Sequence, residues 1–328
     1  MSDLSRVEDL LSAHPLIDGH NDLLWEIRAR GLDVDTLDLD SRTPLHTDWP
    51  RAASGRLGGQ FWSVYVPGTL APADAVVAVL EQIDAAKRLI ARYPDRLGLA
   101  LHIHAAEAPS EMALVAAQHG TTPVRALDRA GMIRPGTLLA HAVHLDDAEI
   151  ALLAERGVAM AHCPLSNAKL ASGTARMTAL RRAGVATSLG TDGASSGNDL
   201  DMFHTMRLAA QMAILASGQP DAMPAREVVA MATRGGARAA GLGARKGMIA
   251  RGMDADIIVI DLSAPHLVPA YDPYSTLVYA AGRSDVRQVL ARGRRIVADG
   301  RPVAEISKEL EMLRAVAAGI AAAAPDGS

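Results

Sequence analysis

The sequence is short of several things, and each shortage closes off a class of protein. It holds one cysteine, Cys163, in 328 residues. No disulfide can form within the chain, and a zinc site built from thiolates is not expected. Aromatic residues make up 3%, so the core must be packed from Ala, Val, Leu, Ile and Met. No apolar run reaches the ~20 residues of a membrane-spanning helix. A surplus of one charge is also missing. The 33 Lys and Arg against 37 Asp and Glu leave a net charge of −4, which gives no electrostatic reason to expect nucleic acid or an anionic membrane as partner. Residues 1–11 are polar and acidic and lack the basic start and apolar core of a secretory signal. The expectation is a soluble, cytoplasmic protein acting on a small molecule.

What is present is an alternation of strand-like and helix-like segments. Hydrophobic residues make up 49%, enough for one barrel-sized domain with a small appendage. Apolar runs at 16–18, 60–66, 97–104, 137–143, 158–162 and 185–189 read as strands. Between and around them, residues 3–13, 73–93, 110–119, 123–130, 146–156, 175–183, 199–216 and 225–240 read as helices. Such alternation implies parallel strands in an α/β fold. Segment 32–59, rich in Asp, Arg, Pro and Gly, reads as irregular loop. After Lys246 the texture changes to short strands at 254–261, 286–291 and 295–297 joined by Gly turns, a small β appendage. An Ala-rich helix at 305–324 and a tail close the chain. Counting barrel strands gives six where a complete (β/α)-barrel has eight.

Chemistry concentrates where the apolar runs end. The run before Gly190-Thr191-Asp192-Gly193 puts Asp192 where a strand stops and a loop opens. Three earlier stretches also put His or Asp at the end of an apolar run: Asp18-Gly19-His20-Asn21-Asp22, His102-Ile103-His104-Ala105-Ala106-Glu107, and His141-Ala142-Val143-His144. In a parallel α/β fold these ends lie on one edge, where sites are built. His20 and Asp22, two apart in an extended segment, point to one face and could reach one cation. The bland alternative, an Asn-Asp turn beside a bystander His, weighs about as much. His104 is the ligand candidate of its strand, with His102 as a rival on the same face. Glu107 is the candidate proton carrier. His141 directly follows its apolar run, and His144 is more plausibly part of the next helix start. Asp192 could serve as ligand and base. Ser166 and Asn167, in His162-Cys163-Pro164-Leu165-Ser166-Asn167, are candidate pocket-lining donors and acceptors, weighed against a simple Pro turn. Phosphate-loop and Gly-x-Ser-x-Gly patterns are absent, and Gly235-Gly236 reads as a turn after a helix.

These stretches carry two resemblances. Residues from about 101 to 303 resemble the amidohydrolase superfamily, specifically 5-methylthioadenosine/S-adenosylhomocysteine deaminases and related chlorohydrolases. The carriers are HIHAAE (102–107), LAHAVHLDDAEI (139–150), AHCPLSNAKLASG (161–173), LGTDGASSGNDLDMF (189–203) and KGMIARGMDADIIVIDL (246–262). Residues from about 6 to 100 resemble the N-terminal part of the membrane dipeptidases, on HPLIDGHNDLLWEIR (14–28), GGQFWSVYVPG (58–68) and LEQIDAAKRLIARYPDRL (80–97). Both families are metal-dependent (β/α)-barrels. The first resemblance implies His104 and Asp192 as metal ligands, Glu107 as proton shuttle, and His141 in contact with the attacking water or the substrate. The second implies His20 and Asp22 as ligands. The chain departs from the deaminases in having His-x-Asp where they have His-x-His.

The expectation is therefore an α/β, TIM-barrel-like hydrolase with an incomplete barrel over 1–245, dipeptidase-like in 6–100 and deaminase-like in 101–245. A β appendage follows over 246–303, then a helix and tail over 304–328. One divalent metal, zinc or else iron or manganese, would be held by His20, Asp22, His104 and Asp192. Glu107, His141 and Asp192 would be catalytic, with His141, Ser166 and Asn167 facing substrate. Deamination of an adenosine-type purine is the leading activity. Dipeptide hydrolysis and an inactive metal-binding remnant are the alternatives. Open strand edges would let copies of the chain associate.

Overall fold

The computed structural model describes residues 16–67, 69–93, 101–305, 307 and 311–317. The chain divides into two compact units, Met1–Leu99 and Ala100–Ser328.

In the first unit, strands β1 (Leu16–Asn21) and β2 (Leu57–Trp62) pair in parallel. Helix α1 (Leu23–Ala29) follows β1 directly, and α2 (Trp49–Ser54) and α3 (Pro72–Arg92) complete the unit's described elements. Leu23, Leu24 and Ile27 of α1 share a core with Leu39, Leu89 and Tyr93. The Leu39 N–H donates to the Tyr93 hydroxyl at 3.0 Å, so the one polar atom of that aromatic has a partner. Helix α2 lies in the stretch read from sequence as irregular. Asp48 starts it, its carboxylate accepting from the Arg51 N–H at 2.9 Å and from Thr43 N–H at 3.0 Å. The strand expected at 60–66 begins three residues earlier and stops at Trp62. Aromatic and β-branched weighting underrates Gly59, which pairs with Ile17 of β1 all the same.

In the second unit, β3 (Leu101–Ala105), β4 (Thr137–His141), β5 (Ala159–His162) and β6 (Ala186–Leu189) form a parallel sheet in that order. The connections are helical. α4 (Pro109–His119) and α5 (Pro123–Arg129) join β3 to β4, and α6 (Asp147–Glu155) joins β4 to β5. α7 (Pro164–Lys169) and α8 (Met177–Arg182) join β5 to β6. Asp146 and Glu149 close a capping box at the start of α6, so the acids at 146–149 satisfy its free N–H groups. Beyond β6 come α9 (Ala194–Gly197), α10 (Met202–Ser217) and α11 (Ala225–Ala230). The core beneath the sheet is aliphatic and thioether: Leu139, Leu153, Met160, Met177 and Leu180 are all buried.

Gly235 and Gly236 do not form a turn, and the helix expected over 225–240 runs through them. They lie inside a continuous helical stretch that passes from α11 through a π-helix at Met231–Gly235 and on through Gly236–Ala239. A Cβ on Gly235 would sit 2.6 Å from the Thr187 carbonyl oxygen of β6. The glycine is there to let a helix backbone touch a strand backbone.

The expected appendage is an antiparallel sheet of four strands in the order β10-β9-β8-β7, comprising β7 (Ile257–Ile260), β8 (Val286–Ala291), β9 (Arg294–Ala298) and β10 (Arg301–Pro302). The two-residue β10 is too short to leave a pattern in sequence. Residues 311–317 are helical. The helix expected at 3–13, the first residues of the strand expected at 97–104, and residues 306, 308–310 and 318–324 of the helix expected at 305–324 lie outside the described residues. The six parallel strands expected of the barrel are all present, divided among the described residues into sheets of two and four.

Candidate metal centre

The parallel pairing of β3 to β6 places all four strand ends on one edge. Ala105 is paired with His141, and His162 with Leu189. His104 therefore sits at the end of β3 and His141 at the end of β4. Glu107 lies two residues past β3, and Asp192 three past β6. Ligand atoms of His104, His141 and Asp192 all lie within 4.8 Å of one another. Two imidazole nitrogens and a carboxylate oxygen at that spacing are a donor set suited to a divalent cation. The rings of His104 and His141 stack with centroids 5.1 Å apart, and those of His102 and His104 with centroids 6.0 Å apart.

The backbone is bent to make this arrangement. His141, Ala142 and Asp192 are left-handed, with φ of 70°, 44° and 60°, as is Ala106 at 53°. Left-handed backbone at residues with a Cβ is disfavoured and collects at functional sites. The bends lock together. The Ala106 carbonyl accepts from both Val143 N–H (2.9 Å) and His144 N–H (3.0 Å). His144 itself bonds through Nε2 to the Ser172 carbonyl oxygen at 2.7 Å, which ties the loop after α7 to the end of β4.

Asn167, fully buried on α7, places Oδ1 2.8 Å from His141 Nδ1. An amide oxygen only accepts, so Nδ1 donates in this bond, and Nε2 is the ring nitrogen left to face the site. That nitrogen is 3.7 Å from a Glu107 carboxylate oxygen. Burial works against charge on Asp192. The nearby Ser166 hydroxyl, the Gly193 N–H and the fields of His141 and His104 outweigh it and hold the carboxyl below its ordinary range. The Gly193 bond is 2.8 Å. His162 is buried beside this group, and loss of hydration, then the neighbouring His141, lowers it to about 4. Burial pushes the Cys163 thiol up to about 12. Three buried polar atoms here close no hydrogen bond of ordinary geometry within the protein: His162 Nδ1, Ser166 Oγ and Asn167 Nδ2. Unpartnered buried groups clustered beside a metal-type donor set are what a binding site leaves for its ligand and waters.

The structure thus brings together His104, His141, Asp192 and Glu107, with Ser166 and Asn167 behind them. His141, read from sequence as touching water or substrate, falls within the potential ligand set. Asn167, read as substrate-facing, has its carbonyl oxygen taken by His141. Segment 164–169, weighed as a Pro turn, is a short helix, buried over Pro164–Asn167. In the first unit His20 lies on β1, its side chain outside the described residues. Asp22 follows β1, and its carboxylate accepts a hydrogen bond from the Ser63 hydroxyl. The contribution sequence reasoning missed is that of Glu111, whose carboxylate accepts from the N–H groups of Ala106 (2.9 Å) and Glu107 (2.7 Å).

The chain is 41% identical over 277 residues to a 5-methylthioadenosine/S-adenosylhomocysteine deaminase of Pelotomaculum thermopropionicum, covering 84% of this chain and 60% of that protein. It is 41% identical over 253 residues to a 5'-deoxyadenosine deaminase of Methanosarcina mazei, covering 77% and 55%. The chain spans between half and three-fifths of the length of these relatives. Among solved structures it resembles an adenosine deaminase from Xanthomonas campestris with bound zinc, at TM-score 0.69 and 26% identity over 94% of this chain and 85% of that one. It also resembles the atrazine chlorohydrolase of Arthrobacter aurescens complexed with zinc, at TM-score 0.66 and 29% identity over 72% and 51%. Among the described residues no helix is long and apolar enough to cross a membrane. The amidohydrolase family model matches residues 58–296, and with that match over most of its length the chain belongs to the amidohydrolase family.

Proposed function

We propose that the chain is a metal-dependent hydrolase of the deaminase type, exchanging the amino group of an adenosine-type purine for oxygen and releasing ammonia. The observation that carries this is the convergence of His104, His141 and Asp192 within 4.8 Å. The adenosine-type substrates named for its relatives support the choice of purine. A divalent ion, zinc first and iron or manganese as substitutes, would supply hydroxide at neutral pH by lowering the pKa of water to about 7.

The chain's own groups account for binding and proton movement. Asn167 fixes His141 with Nε2 free. Asp192, held ionised, takes a proton as water adds to the purine carbon. Glu107, beside His141 Nε2, carries a proton to the ring nitrogen and on to the departing amine. Asn167 Nδ2, which closes no hydrogen bond within the protein, and the Ser166 hydroxyl beside Asp192 would meet the substrate. His20 and Asp22 remain ligand candidates on sequence grounds, to be tested by the metal content of His20→Ala and Asp22→Ala.

The experiment is ammonia release from adenosine, 5'-deoxyadenosine, methylthioadenosine and S-adenosylhomocysteine, with dipeptides as counter-substrates and Asp192→Ala as control. Release that disappears in the control is the expected result. Turnover of dipeptides alone, or none of either with metal bound, refutes the proposal.

A further inference from the structure

Glu111 is the third residue of α4, after Pro109 and Ser110, with Ala108 as N-cap. A glutamate there commonly reaches back to the N-cap N–H and closes a capping box. Glu111 reaches further. Its two carboxylate oxygens pass Ala108 and accept one hydrogen bond each from Ala106 N–H (2.9 Å) and Glu107 N–H (2.7 Å). These are the first two of the three residues between β3 and α4. Ala106 is wholly buried and left-handed at φ 53°. Successive N–H groups at such a bend form a concavity that takes an anion, and here the anion is part of the chain.

The kink is held from its other side as well, because the Ala106 carbonyl accepts from Val143 and His144. Those residues directly follow the left-handed pair His141 and Ala142. Both main-chain groups of Ala106 are therefore bonded, one toward Glu111 and the other toward the strand that carries His141.

We propose that Glu111 is a positioning residue: its carboxylate fixes the backbone at 106 and 107 and so sets the direction from which Glu107 approaches His141. Its role in turnover rests on the proposed function. The clamp itself does not. Glu111→Gln is the fitting perturbation, since it keeps shape and length. An amide offers only one acceptor oxygen, so one of the two N–H groups faces an NH2 donor instead.

Three readouts decide the matter. With wild-type metal content, Glu111→Gln is expected to lower kcat about a hundredfold, the scale of a misplaced catalytic group, with KM nearly unchanged. In a Glu107→Gln background the same change is expected to cost no further activity, because it acts through Glu107. Hydrogen exchange at the amides of 106 and 107 is expected to accelerate. Wild-type kcat in Glu111→Gln overturns the proposal, and so does an equal loss in both backgrounds, which marks a general structural effect. Should Glu111→Gln not fold, Glu111→Asp keeps both acceptors on a shorter arm. A partial loss of kcat then supports the clamp, and full activity overturns it. Should the wild type turn over no purine, the proposed function fails, and exchange alone judges the clamp: faster exchange supports it and unchanged exchange overturns it.

Discussion

Replacing Asn167 by alanine tests how His141 is prepared to bind a cation. The bond from His141 Nδ1 to Asn167 Oδ1 is 2.8 Å long, and neither side chain is more than 1% exposed. No solvent stands by to replace the lost acceptor. Leaving the buried N–H unpaired costs about 1–3 kcal/mol. Asn167 Nδ2 already lacks a protein partner, so its removal offsets part of that cost. The larger effect is on the ring, which is then free to rotate and to move its proton to Nε2. Loss of such a supporting partner typically weakens metal affinity about 10–100-fold. The assay is zinc titration against a competing chelator, alongside thermal unfolding to show that the variant is folded. Asn167→Asp restores an acceptor and should recover affinity. A folded Asn167→Ala that binds zinc as tightly as the wild type would refute the tautomer argument.

Three further outcomes follow from other parts of the molecule. The Arg51 guanidinium holds buried Asp48 down to about 2 against an ordinary 3.8, over the opposing effect of burial. The folded value is the lower one, so its stabilisation is present above pH ~4 and fades as pH falls toward 2; urea unfolding of Asp48→Asn should differ from wild type most near neutrality and converge in acid. Gly235→Ala sets a Cβ 2.6 Å from the Thr187 carbonyl and should lower stability by about 1–3 kcal/mol, read from chemical denaturation; an unchanged midpoint would contradict the close packing. Cys163, buried with its thiol raised to about 12, should resist a thiol reagent at pH 8 in the native protein and react fully once unfolded.

The strand ends were legible because each combined an apolar run with His or Asp. That is why His104, Glu107 and Asp192 could be singled out before any coordinates. Other features depend on contacts that a linear pattern does not carry. Helix α2 exists because Asp48 gathers the N–H groups of Thr43 and Arg51, inside a stretch whose composition reads as loop. The placement of His141 among the potential ligands depends on a left-handed backbone at His141 and Ala142, which a His and an Ala do not announce. Gly235 and Gly236 look like a turn until the strand they lie against is known. Glu111 is invisible for the opposite reason, since an acid in the first turn of a helix is ordinary and only its bonds to Ala106 and Glu107 set it apart.

The central claim is that His104, His141 and Asp192 hold a divalent cation. The most direct test is the zinc content of purified wild-type protein against Asp192→Ala, each shown to be folded. The account predicts about one bound zinc per chain in the wild type and its loss in the variant. A folded variant that keeps its zinc, or a wild type that takes up none from a zinc-buffered solution, would contradict it.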